Sequence, residues 1–136
     1  MDRPAKNGHL EIVKWLHSNM GEGCTTYAMD FAAECGQLDV VNWLHNNRNE
    51  GCTVAAMDGT AQNGHLDVAE WLHTNRSEGC TTSAMDEAAS NRFWDVVDWL
   101  ARNRSEGGAA ATIATCASQG DIERVYWVPL HWTHSV

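Results

Sequence analysis

Apolar residues in this chain recur three and four positions apart, and rarely on alternate positions. In "QLDVVNWLHNN" (37–47), Leu38, Val40, Val41, Trp43 and Leu44 form one wide apolar face, with Asn42 and Asn46 pointing away from it. That is the spacing of an amphipathic helix buried on one side. In "TTYAMDFAAECG" (25–36) the apolar stripe is narrower, built from Ala28, Met29, Ala32 and Ala33. Small side chains let such a helix sit close to its neighbours. Thr25 stands where a hydroxyl caps the first helix by accepting an orphan backbone N–H. Gly36 stands where a left-handed residue ends it. Asp39, in the first turn of the second helix, meets the positive end of the helix dipole. "NNRNEGCT" is the turn onward, with Gly51 supplying backbone freedom. No stretch combines period-two alternation with β-branched enrichment, so no sheet is predicted.

The helix pair is written several times over. Trp15, Trp43, Trp71, Trp99 and Trp127 stand 28 residues apart, as do Cys24, Cys52 and Cys80, and His17, His45 and His73. Met29, Met57 and Met85 keep the same stride, as do Asp30, Asp58 and Asp86, and Glu22, Glu50, Glu78 and Glu106. A period of roughly 20–50 residues marks a solenoid, whose units bury their apolar faces only against each other. Residues 1–136 read as a single array: a trailing half repeat (1–23), three clear repeats (24–51, 52–79, 80–107) and a decayed C-terminal repeat or cap (108–136). Arg92 replaces the turn glycine of the other units, and Pro129 falls where the histidines stand and must end its helix early. Position 1 enters midway through a repeat, so a fragment of a longer array is one expectation.

"AAECGQLDVVNWLH" and "TAQNGHLDVAEWLH" resemble the ankyrin repeat. That family carries a Thr-Pro-Leu-His-x-Ala-Ala first helix, then Gly-His-Leu-Glu-Val-Val and a leucine-rich second helix. Met29-Asp30-Phe31-Ala32-Ala33 falls where the family has Leu-His-Leu-Ala-Ala. The Thr-Pro pair is absent, with Ala28, Ala56 and Ala84 at the proline position. The family stride is about 33, and the residues missing here fall in the connection that builds its β-hairpin finger. The fold class implied is all-α: a solenoid of stacked helix-turn-helix ankyrin-like repeats with the finger cut to a tight loop.

The resemblance also implies a function: a non-catalytic scaffold whose first helices line a concave groove for a protein partner. Positions that change between repeats mark where that partner would touch. The candidates are Tyr27, Phe31, Glu34, Gln62, Glu87, Ser90 and Asn91, with Tyr27 and Phe31, one turn apart, as the anchor. The alternatives are a metal-binding or redox thiol protein using the Cys/His set, and a regulatory piece of a larger enzyme.

Composition narrows the partner. The chain of 136 residues has only 9 Lys and Arg against 18 Asp and Glu, a formal net charge of −9. Nucleic acid and anionic membrane surfaces both need clustered cations, so neither is expected. No apolar run approaches the roughly 18 residues of a spanning helix, and "MDRPAKNGHL" has no apolar core of a secretory signal. Without that signal, the "NRS" sequons at Asn75 and Asn103 are expected to be idle. Five cysteines, three of them in a row down the stack about 10 Å apart, are expected as reduced thiols in an intracellular, cytoplasmic setting.

The chemistry-bearing residues read as scaffold. His73 and Cys80 lack the paired spacing of a zinc site, and His131 and His134 are separated from a helix by Pro129. No nucleotide loop, triad or separated pair of carboxylates is present, so no catalytic residue, metal or cofactor is expected. The histidines are expected to meet free carbonyls at the end of the second helix, and the cysteines to be small buried groups. The tryptophan column is expected in the core. Asp30, Asp58 and Asp86 are expected to satisfy local N–H groups and the helix dipole. Arg48–Glu50 and Arg76–Glu78 are expected as loop ion pairs of little value. The array is expected to be monomeric or part of a longer one.

Overall fold

The computed structural model describes residues 1–19 and 25–106. Cys24, with Glu22, Gly23 and everything from Gly107 on, including Gly120, Trp127, Pro129, His131 and His134, lies outside the described residues. The described chain forms helices α1 (Asp2–Lys6), α2 (Leu10–Asn19), α3 (Thr26–Glu34), α4 (Leu38–Asn47), α5 (Val54–Gln62), α6 (Leu66–Asn75), α7 (Thr82–Ser90) and α8 (Trp94–Asn103). No strand occurs among the described residues. The architecture is an all-α solenoid of helix-turn-helix units.

The odd-numbered helices form an inner row in which α1 packs on α3, α3 on α5 and α5 on α7. Each is backed by the second helix of its own unit. The small-residue stripe makes the inner row close: Ala28, Ala32, Ala33, Ala56, Ala61, Ala84, Ala88 and Ala89 are all buried. Val40, Val41 and Leu44, with Val68, Ala69 and Leu72, and Val96, Val97 and Leu100, repeat one buried triplet on the outer helices. Helix α1 corresponds by stride to the C-terminal part of α3, with Ala5 buried as Ala33 is.

The helix ends follow the sequence. Thr25, Thr53 and Thr81 each accept the N–H two residues on, from Tyr27, Ala55 and Ser83. Gly36 and Gly64 close the inner helices at φ 74° and 76°. Arg92 takes the same left-handed geometry at φ 66°, although its Cβ disfavours it. Arg92→Gly is therefore expected to raise stability by about 0.5–1 kcal/mol in urea unfolding. An unchanged or lower midpoint would show that the arginine side chain offsets its backbone strain. Between α4 and α5 the connection runs only from Arg48 to Thr53, turning at Gly51 (φ 72°) where the family builds its finger.

Two expectations need correction. The tryptophans are not core: Trp43, Trp71 and Trp99 are half-buried against its edge, and Trp15 is 56% exposed. Each half-buried ring instead packs T-shaped against the preceding unit's histidine, His17 with Trp43, His45 with Trp71 and His73 with Trp99, with centroids 5.2–5.3 Å apart. Nor do the histidines meet the carbonyls ending the outer helices. Asn19, Asn47, Asn75 and Asn103 do so, each amide donating to the carbonyl of Trp15, Trp43, Trp71 or Trp99 at 2.8–2.9 Å. An asparagine amide four residues on reaches back over one turn, whereas the histidine ring is turned sideways to the next unit.

Candidate protein-binding face

Helices α1, α3 and α5 each carry a carboxylate that ties them to the next unit. Asp30 accepts from the Thr53 N–H and the Thr53 hydroxyl, both at 2.8 Å. Asp2 does the same for Thr25 (3.1 and 2.8 Å), and Asp58 for Thr81 (2.8 and 2.7 Å). The threonine hydroxyl thus donates to one unit's carboxylate while accepting from its own helix's first turn. This corrects the expectation of a dipole or local role. Asp30 lies mid-helix, is only 3% exposed, and reaches 23 residues down the chain. These carboxylates are turned inward to the next N-cap and present no acidic row to a partner.

A second recurring cluster sits at the outer helix ends. Arg76 Nε donates to Glu78 at 3.2 Å, its Nη2 also pairs with Glu78, and its Nη1 faces His45 Nδ1 at 3.4 Å. Arg48 with Glu50 and His17, and Arg104 with Glu106 and His73, repeat the arrangement. These forks are half-buried and bridge consecutive units, so they are more than the exposed loop pairs expected from sequence. The Arg76 hydrogen bond holds the Glu78 carboxyl below its ordinary range. Burial pushes the Cys52 thiol up to about 11 and the Cys80 thiol up to about 12, with Glu78 and Glu106 adding to it. Both are buried beneath their arginine forks, where the thiolate, the nucleophilic and metal-binding form, is disfavoured. Among the described residues no three His, Cys, Asp or Glu side chains are grouped to hold a metal ion.

The solvent side of the inner helices carries the residues selected from sequence. Tyr27 is 57% exposed and stacks on half-buried Phe31, centroids 5.4 Å apart and planes at 14°. Lys6 of α1 lies over the Phe31 ring, 5.2 Å from its centroid. Glu34 is half-buried beside Gly59, whose added Cβ would fall 3.0 Å from Glu34 Cβ and Cγ. That glycine lets α5 approach α3 at the step where its neighbours carry Phe31 and Glu87. Gln62, Glu87, Ser90 and Asn91 are exposed, and Asn91 donates to the Gln62 carbonyl at 2.9 Å, joining α7 to α5. The selected residues therefore form a row along α3, α5 and α7. The sequence reading missed Arg3 and Lys6, which border an open depression beside Phe31 with Asp2 and Asn7. The signal was present: Arg3 is the stride-mate of Phe31, and Lys6 that of Glu34.

Comparison with known proteins agrees with this geometry. Residues 1–45 match the family model for ankyrin repeats (many copies). The stacked helical repeats of the described chain are consistent with an ankyrin-like array. Repeats of that family generally mediate protein–protein interactions and are typically non-catalytic. The search of curated proteins and that of solved structures each gave no match. No helix among the described residues is long and apolar enough to cross a membrane.

Proposed function

We propose that this chain is a non-catalytic docking module that holds a protein partner along the solvent side of α3, α5 and α7. The observation that carries this reading is the Tyr27–Phe31 stack, an aromatic pair held at the surface of the inner row. A large exposed ring fixed by a neighbour loses little conformational freedom on binding, which makes it suited to anchor a partner. Glu34, Gln62, Glu87, Ser90 and Asn91 continue the same face with polar groups, as a rim does around an anchor. The inner-row carboxylates and the arginine forks serve the stack, leaving this row to serve recognition.

The test is affinity recovery of partners from the source cell, with the unaltered chain and a Tyr27→Ala, Phe31→Ala variant run side by side. Recovery of a saturable partner is expected to fall about tenfold in the variant, corresponding to about 1.4 kcal/mol. Tyr27→Ala alone separates binding from stability, because that ring is exposed and outside the core. An Asn42→Ala, Asn46→Ala variant on the outer helix is expected to bind normally. Equal recovery by the chain and both ring variants would remove the proposed anchor.

A further inference from the structure

The charges left over on the inner row are distributed unevenly. Among the described residues, Arg48, Arg76 and Arg104 are forked to Glu50, Glu78 and Glu106, Lys14 pairs with Glu11, and Arg102 pairs with Asp98. Arg3 and Lys6, both on α1, have no acidic partner there and are exposed, as is the single Arg92 just past the end of α7. Two carboxylates of the same row, Asp2 and Asp30, are engaged by Thr25 and Thr53. Glu34 is half-buried one turn beyond Phe31. A chain of formal charge −9 therefore presents a local cationic spot beside its exposed aromatic stack. At the far end of the row Arg92 follows Glu87, Ser90 and Asn91 in the chain, and α7 carries no aromatic ring, so a cation pair beside an aromatic stack occurs at the α1–α3 end.

We infer that the α1–α3 end of this face takes an acidic peptide segment with an aromatic or branched apolar anchor. The anchor lies on Tyr27, and carboxylates flanking it meet Arg3 and Lys6 across the depression beside Phe31. The inference rests on the docking reading above and adds the partner's chemistry and polarity. Lys6 is already held over the Phe31 ring, so its ammonium lies next to the aromatic surface before the segment arrives. A basic segment would meet like charge at this end of the row, and a purely polar one would leave the Tyr27 ring uncovered.

Fluorescence anisotropy with short labelled peptides on the full chain tests it. The probes are a Glu/Asp peptide centred on Leu-Phe, its lysine counterpart, and an acidic version with serine for Leu-Phe. Saturable binding of the first is expected, with both counterparts about tenfold weaker, and an Arg3→Glu, Lys6→Glu variant about tenfold weaker for the first probe. Binding should also weaken from low to physiological salt. No saturable binding of the acidic probe at millimolar concentration, or binding unchanged by the charge reversal, overturns the inference. A lysine probe that binds and is lost in Tyr27→Ala overturns the acidic chemistry while keeping the face. Binding indifferent to Tyr27, Arg3 and Lys6 alike removes both.

Discussion

Asp30→Ala is expected to lower the unfolding free energy by about 2–3 kcal/mol in urea titration. The substitution removes two hydrogen bonds from one carboxylate and leaves the Thr53 N–H and hydroxyl without their acceptor. Asp30 is 3% exposed, so water cannot readily replace it. The loss also falls on a helix start, since the hydroxyl that caps Ala55 is held in place by Asp30. Thr53→Ala should reproduce part of the loss, about 1 kcal/mol, from the cap alone. Asp58→Ala removes the same pair of bonds at a wetter site, where the Asp58–Thr81 contacts are solvent-exposed. There a smaller loss is expected, about 1 kcal/mol, because water serves the abandoned groups. Equal effects at Asp30 and Asp58 would show that burial does not set the strength of this clamp. Because a solenoid's stability is carried by its interfaces, the α3–α5 junction is expected to open first in the Asp30 variant. Hydrogen exchange at Thr53 and Ala55 would report it.

The helices, their caps and the solenoid were legible in the sequence because they depend on local signals repeated at a fixed stride. Thr25, Gly36 and the Ala28–Ala33 stripe carry local information, and repetition separated it from chance. The interfaces were less legible. The stride showed that Asp30, Trp43, His45 and Arg76 matter to every unit, but it could not say which of them meet. Those contacts link residues 23, 26 or 31 positions apart, across the junction of two units. The tryptophan was misplaced for a related reason. A large apolar residue on the amphipathic face reads as core, whereas here the ring edges the core and packs against a histidine of another unit. On the candidate face, variation among repeats selected Tyr27 to Asn91, a row whose docking role is a proposal. It did not select Arg3 and Lys6, because α1 is short and offers few positions to compare.

Gly64→Ala tests how closely successive units are fitted at their turns, with an expected loss of about 2–4 kcal/mol. Two costs add. Gly64 sits at φ 76°, where a Cβ costs roughly 1–2 kcal/mol in any surroundings. In addition, the new methyl would fall 2.5–2.8 Å from Cδ1, Cε1 and Cγ of Phe93, a half-buried ring packed against the core of the next unit. The ring must shift, and close-packed interiors transmit such a shift to their neighbours. Gly8 provides the control, because it has nearly the same backbone (φ 73°) but faces the amide end of Gln37. A flexible amide can swing aside, so Gly8→Ala should cost only the backbone share, about 1–2 kcal/mol. A double cycle with Phe93→Ala would isolate the ring contact as a coupling between the two positions. If Gly64→Ala and Gly8→Ala lose the same amount, the aromatic lid over the turn contributes nothing. The glycine would then be explained by its dihedral angle alone.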